Sequence, residues 1–345
     1  MLLKELTALR GPSGWENAVR DAIRHEAERI LCGRESRVYA DTIGNLYAFR
    51  KGTDEKKPHV MLAAHMDEVG FIVTLAGENG QLHVEPVGGV DPRCCVSKRV
   101  VVGEKAVQGV MGIKAIHLMT PEDRKRAPDF EMLTIDIGAD SKEEAERLCP
   151  PGSYVTFESE YREFGDGFVK AKAIDDRAGC MILLDLLENC GYDGDMTCVF
   201  TVQEEVGLRG AQVAARKVRP DCAIVIDTTA CSDMGMTESH KQVTSCGKGA
   251  ALTFMDRRTI IPDDMRETAL RAAEKNRIPV QIKRGNAGGT DAGEIHLSAG
   301  GVKCLVIVIP CRYAHSPVNV AKLSDIQAAR DLAFAVMDEL NERKM

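Results

Sequence analysis

The run His59-Val60-Met61-Leu62-Ala63-Ala64 is apolar from Val60 onward and stops at His65-Met66-Asp67. An unbroken apolar run of this length, with no alternation, reads as a strand covered on both faces. A histidine and a carboxylate stand where it ends. The same arrangement recurs along the chain. Phe168 to Ile174 leads into Asp175-Asp176, and the strand beginning near Met196 leads into Glu204-Glu205. Cys222 to Ile226 is closed by Asp227, and Val302 to Ile309 is followed shortly by His315. Helical patterns lie between these strands, at Asp176 to Glu188 and Asp263 to Asn276. Others run from Gly14 to Leu31 and from Lys322 to about Asn341. Alternating strands and helices predict an α/β domain around a central sheet. In such sheets ligands bind at the carboxyl ends of the strands, where each of these polar clusters falls.

From about Gly70 to Tyr161 the texture changes. Short apolar runs (Phe71-Ile72-Val73, Val100-Val101-Val102, Val107 to Ile113) alternate with turn residues such as Gly77-Glu78-Asn79-Gly80 and Gly88-Gly89. Closely spaced short strands predict a small β-barrel or sandwich. One short helix is expected after Ser141, where Ser141-Lys142-Glu143-Glu144 has capping-box spacing. At 345 residues the chain exceeds one ordinary core. Two domains are therefore expected: residues 1–69 with 162–345, and residues 70–161 inserted between them.

A net charge of −7, with Lys and Arg scattered, gives no phosphate-binding footprint, so nucleic acid is not an expected partner. No run approaches the roughly 20 apolar residues of a membrane span. Met1-Leu2-Leu3 runs straight into Lys4-Glu5, too short for a signal-peptide core, and a cytoplasmic location is expected. The twelve cysteines include no C-x-x-C pair, and several lie in apolar runs, so they read as small core residues.

Singly, each polar cluster has an ordinary explanation. His65 alone reads as a satisfied core histidine, Asp175-Asp176-Arg177 as a helix cap with an ion pair, and Glu204-Glu205 as a solvated strand end. Asp227 fits least well, because an unpaired carboxylate at the end of a buried strand is costly. Five such clusters at one sheet edge argue for one site. Two histidines with several carboxylates form a metal-ligand set suited to zinc, cobalt or manganese. Five ligands around two ions require one bridging carboxylate. A water held between the ions then becomes a nucleophile, with the remaining carboxylate as general base.

In chain order, Ala64-His65-Met66-Asp67-Glu68-Val69-Gly70, Asp175-Asp176-Arg177, Glu204-Glu205-Val206-Gly207, Asp227 and His315-Ser316-Pro317 resemble the dinuclear-metal glutamyl and deblocking aminopeptidases, the family of the tetrahedral aminopeptidases. The resemblance covers nearly the whole chain. It implies a zinc-aminopeptidase-like catalytic domain with an inserted PDZ-like barrel for oligomerisation and substrate access. His65 and Asp227 would hold one metal, Glu205 and His315 the other, with Asp175 bridging. Glu204 would be the general base. Asp67 would accept a hydrogen bond from the second nitrogen of His65, and the Asp175-Asp176 peptide would be cis. Two divalent ions per subunit, zinc or cobalt with manganese as a third choice, and a hollow dodecamer acting on short peptides are implied, with a dimer left open. Asp291, in Gly288-Gly289-Thr290-Asp291-Ala292-Gly293, matches a further family segment near the site without an assigned role.

The expected activity is removal of N-terminal residues from short peptides. Hydrolysis of another amide, such as an N-acyl amino acid, would use the same machinery. An endoglucanase-type glycosidase is a third reading, disfavoured by the two histidines and by an aromatic content of only 5%, which offers few sugar platforms. A non-catalytic cage or binding module is a fourth, against which the complete ligand set and base stand.

Overall fold

The computed structural model describes residues 1–235, 237–285 and 288–342. Four strands that are buried along most of their length lie side by side and parallel in the order Met196–Thr201, Val60–His65, Cys222–Ala230, Lys303–Arg312. Their apolar side chains are covered on both faces, as unbroken apolar runs demand. Antiparallel strands extend the sheet on both sides. Leu46–Arg50 and Ser36–Ala40 add to one edge, and Asn319–Lys322, Phe168–Ala171 and Arg162–Phe164 to the other. Ala250–Leu252 and Val280–Ile282 branch from Lys303–Arg312, completing eleven strands. Helix Ile174–Asn189 packs on Val60–His65 and Cys222–Ala230, and helix Leu323–Glu342 on Lys303–Arg312.

Residues 70–157 contain a closed barrel of six strands: Gly70–Ala76, Leu82–Val87, Arg99–Val102, Val107–Ile113, Leu133–Asp136 and Tyr154–Phe157. Its core, built around Phe71, Leu82, Met111, Ile135 and Phe157, is separate from that of the sheet. Closure leaves no strand edge unpaired. The capping box at Ser141 is only half formed. Ser141 Oγ accepts from the Glu144 N–H, whereas the Glu144 carboxylate accepts from the N–H of Asp140 rather than that of Ser141.

Several boundaries differ from the sequence expectation. The strand from Phe168 stops at Ala171, not Ile174, because Lys172 is drawn to Glu68 and Ala173 adopts φ 53°. It nonetheless points the same way as Lys303–Arg312, being antiparallel to Asn319–Lys322, which is itself antiparallel to Lys303–Arg312. Asp175 therefore reaches the expected edge. The strand at Met196 ends at Thr201, and a turn with Gln203 at φ 56° separates it from Glu204. His65 and Asp227 lie within their strands rather than after them, since Thr201 and Val308 continue the ladders beside them. The first long helix starts at Asn17, not Gly14; Gly14 has φ 88° and Trp15 stacks on Tyr154 of the barrel. No helix among the described residues is long and apolar enough to cross a membrane.

Candidate metal centre and active site

At the carboxyl edge of the parallel strands the side chains of His65, Asp175, Glu204, Glu205, Asp227 and His315 line one cavity of about 380 Å³. His65 Nε2 faces Asp175 Oδ1 at 3.3 Å and Asp227 Oδ1 at 3.7 Å. The other Asp175 oxygen, Oδ2, lies 3.6 Å from His315 Nε2, which is 3.1 Å from Glu205 Oε2. Asp175 thus stands between two triplets, His65–Asp175–Asp227 and Asp175–Glu205–His315. Within each, one ligand atom per residue falls within 4.8 Å of the others. The Asp175-Asp176 peptide is cis.

Hydrogen bonds from several directions hold this cluster. The Asp67 carboxylate is fully buried and accepts from Ser13 Oγ at 2.6 Å, Glu204 N at 3.0 Å and Glu205 N at 3.2 Å. Its expected bond to His65 is displaced. His65 Nδ1 lies 3.1 Å from the main-chain oxygen of Asp67 and 3.5 Å from its Oδ1, because the carboxylate is turned toward the Glu204-Glu205 amides. On the other side, His315 Nδ1 lies 3.1 Å from the carbonyl of Gly89 in the barrel segment. Beneath the cluster Lys172 Nζ reaches Glu68 at 2.7 and 3.0 Å and the Leu9 carbonyl at 2.6 Å. Buried Arg177 donates to the carbonyls of Met66 and Leu6, both at 2.7 Å.

Charge is crowded here. Burial raises the carboxyls of Glu204 and Asp227 above the usual range, with the charge of Asp227 adding to it at Glu204 and that of Asp175 at Asp227, and pushes Glu205 up to about 8. Burial likewise lifts Asp291 to about 7, although Thr201 Oγ1 donates to it at 2.5 Å; among the described residues its Oδ1 has no partner. Asp176 is raised by burial and by Asp227, with Oδ2 also unpartnered. Burial opposes protonation of His65, yet Asp175, Asp227 and Asp67 outweigh it and raise the imidazole well above its ordinary value. His315 is raised too, where Glu205 and Asp175 overcome burial. Buried carboxylates outnumber buried cations, an imbalance that a bound cation relieves. The imidazole and carboxylate donors fit divalent transition metals.

Several contributors escaped sequence reading. Ser13 and Gly89 lie in turns or bends with no periodicity, and Lys172 falls inside the expected strand from Phe168 to Ile174. Glu68, inside the quoted 64–70 segment, was the one available pointer to Lys172. The structure also gathers Cys231, Asp233 and Cys246, with the two sulfurs 3.5 Å apart. Sequence spacing gave no sign of this pair, whose thiols meet only through the fold. Both Asp233 oxygens are held by Arg312 at 2.9 and 2.8 Å, which leaves the carboxylate ill suited to an ion.

Comparison with known proteins adds a family. Residues 44–332 match the model of the M42 glutamyl aminopeptidase family. A putative aminopeptidase of Acetivibrio thermocellus is 40% identical over 95% of both chains. The lysyl aminopeptidase of Pyrococcus furiosus is 32% identical, covering 98% of this chain and 96% of its own. Among solved structures, a TET aminopeptidase from a marine-sediment Thaumarchaeota archaeon superposes with a TM-score of 0.92 at 34% identity, covering 99% of this chain and 95% of that one. The Pyrococcus horikoshii TET1 peptidase, described as assembling into a tetrahedron or a large octahedral shell, gives 0.84 at 32% identity, with 96% and 97% covered. A Thermotoga maritima protein titled an endoglucanase gives 0.81 at 37% identity, with 99% of both chains covered. The matches over almost the full length, together with a carboxylate–histidine cluster at the sheet edge, make this chain a member of the M42 glutamyl aminopeptidase family, a peptide hydrolase of the aminopeptidase type.

Proposed function

We propose that this chain removes N-terminal residues from short peptides with two divalent cations, zinc or cobalt with manganese as a third choice. His65 and Asp227 would hold one ion, Glu205 and His315 the other, and Asp175 both. The observation that carries this reading is Asp175, whose two oxygens face the two histidines at 3.3 and 3.6 Å. Bound there, the ions would acidify a shared water and polarise the scissile carbonyl. The remaining steps belong to the chain. Glu204 lies in the same cavity but in neither triplet, so its carboxylate is free to take a proton from the attacking water and deliver it to the leaving nitrogen. Burial and neighbouring carboxylates raise its proton affinity, which suits an acceptor that must also donate. Asp67 acts as a positioning residue, fixing the main chain of Glu204 and Glu205 through their amides.

Glu204→Gln tests this assignment. Turnover of unblocked dipeptides should fall by at least about a thousandfold. Two equivalents of metal should remain bound; a variant near wild-type activity would remove Glu204 as the base. Including N-acyl dipeptides checks the related amide reading, since a free-amine requirement separates the two. The likeness to the Thermotoga maritima endoglucanase does not favour sugar chemistry, because Asp175 and Glu205 each face a histidine rather than standing open as an acid–base pair.

Residues 70–161 are proposed to be an inserted module for assembly and access, in a catalytic domain formed by 1–69 and 162–345. A homo-oligomeric cage, a dodecamer or alternatively a dimer, is proposed from the assembling TET relative. A cytoplasmic location is supported by twelve cysteines that all stand as free thiols. Relatives named for a lysyl and a glutamyl preference leave the side chain favoured by this chain open.

A further inference from the structure

Strand Cys222–Ala230 runs out beside the cavity, and the next residue is Cys231. Its N–H donates to the Cys311 carbonyl at 2.9 Å, which carries the pairing with Lys303–Arg312 one step further. Cys246 is anchored to the same strand by another route. Its N–H donates to Asp233 Oδ2 at 3.0 Å, and Arg312 grips both oxygens of that carboxylate. The two sulfurs, fixed in this way by their main chains, meet at 3.5 Å. Both residues are partly exposed, whereas Cys198, Cys304 and Cys311 are buried, and burial raises their thiols. The bond with Cys246 lowers the Cys231 thiol below its ordinary value, with Thr244 and the Arg312 guanidinium assisting against burial and Asp233. Cys246 moves the other way, raised by that same bond and by burial, and its Sγ lies 3.8 Å from the Pro310 carbonyl.

Thiolate character, partial exposure and a second thiol in contact are what a redox-active cysteine pair requires. We propose that Cys231 and Cys246 form a redox modification site, which a hydroperoxide oxidises to an intramolecular disulfide and a thiol reductant restores. The Cys231 thiolate attacks one peroxide oxygen; the O–O bond breaks, and hydroxide leaves and takes a proton. Cys231 is then a sulfenic acid. Cys246 attacks its sulfur, the S–O bond breaks, and the departing hydroxide takes the Cys246 proton. Two thiols and one hydrogen peroxide thus give one disulfide and two waters, the two electrons passing from sulfur to the peroxide. Sulfurs already in contact reach bonding distance by small side-chain rotations. A thiolate-bound metal fits less well, because Arg312 occupies the carboxylate that would complete its ligand set. Ala230 next to Cys231 and Val243 just before Thr244 both line the cavity, so the disulfide would staple two segments of its wall. This chemistry does not depend on the aminopeptidase reading.

The test treats the reduced full chain, loaded with zinc, with a few equivalents of hydrogen peroxide, then alkylates the free thiols and maps the peptides. Cys231 and Cys246 are expected to escape alkylation together, as one linked peptide pair within a single chain, and to be recovered by dithiothreitol. Their loss should be at least about tenfold faster than that of Cys32, an exposed thiol in the same molecule. In Cys246→Ser the oxidation should stop at a sulfenic acid on Cys231, which dimedone traps. In Cys231→Ser, Cys246 should react no faster than Cys32. The wild-type map alone decides the disulfide, so a poorly folded variant does not obscure it. Sulfinic acids on separate cysteines, a linkage between chains, or loss at the pace of Cys32 would overturn the proposal. A fast Cys246 in folded Cys231→Ser would overturn the assignment of Cys231 as the attacking sulfur.

Discussion

Glu16 accepts from Gly14 N at 2.7 Å and Gln203 N at 3.1 Å through one carboxylate oxygen, and burial, helped by Asp67, raises its carboxyl to about 7. In the unfolded chain the same group titrates near 4.5. The folded state therefore binds this proton more tightly. Its contribution to stability is fully present below about pH 4.5 and is lost as pH rises toward 7. Glu16→Gln keeps the accepting oxygen and cannot ionise. Above pH 7 the variant should melt higher than wild type, by an amount equivalent to at most about 3 kcal/mol, and the difference should fade toward pH 4.5. Melting curves at pH 5 and pH 8 check it, and a constant difference would refute the titration. The same comparison explains what sequence reading could find. His65, Asp175, Glu204, Asp227 and His315 were visible because each interrupts or follows an apolar strand. Glu16 follows no such contrast, and its importance comes from burial, which depends on distant segments.

The turn bearing Glu204 and Glu205 is held between a strand and the helix that follows it. Helix Arg209–Val218 starts where Gly210 N donates to the Val202 carbonyl at 3.0 Å and Gly210 O accepts from Asn45. A methyl at Gly210 would collide with that Val202 carbonyl and with the Asn45 side chain. Gly210→Ala should therefore cost about 1 to 3 kcal/mol and push the helix start away from the strand. Because this helix closes the turn, activity should fall even where the variant remains folded. Denaturant melts paired with kcat measurements check both parts, and an unaffected kcat would show that the turn is set elsewhere. This helix was not legible in sequence, since its buried face is made of Gly210, Ala211, Ala214 and Ala215 rather than large apolar residues. By contrast, helix Asp263–Asn276 and strand Val107–Ile113 end where their sequence patterns end. Strands Ser36–Ala40 and Leu46–Arg50 went unread; Ser36–Ala40 is the outermost strand and nowhere fully buried, and Leu46–Arg50 beside it spans only five residues.

Across the whole molecule, two halves of the chain and an inserted barrel converge on one cluster that carries more buried negative than positive charge. Removing divalent metal with a chelator should lower the melting temperature, and adding zinc or cobalt should restore it. Free metal at a thousand times its dissociation constant corresponds to about 4 kcal/mol per site. Identical melting with and without chelator would argue against a cation in the native cluster. The central sheet and the change of texture at Gly70 were legible because long strand–helix alternation and short apolar runs broken by turn residues differ in kind. Strand order was not legible, since nothing local says that Met196–Thr201 inserts between Leu46–Arg50 and Val60–His65. The barrel segment reaches the cluster through the carbonyl of Gly89, which meets the ring of His315. The insertion is thus no detachable accessory. A chain trimmed of it would lose a brace on His315, and exchanging it between relatives would change what holds that ring.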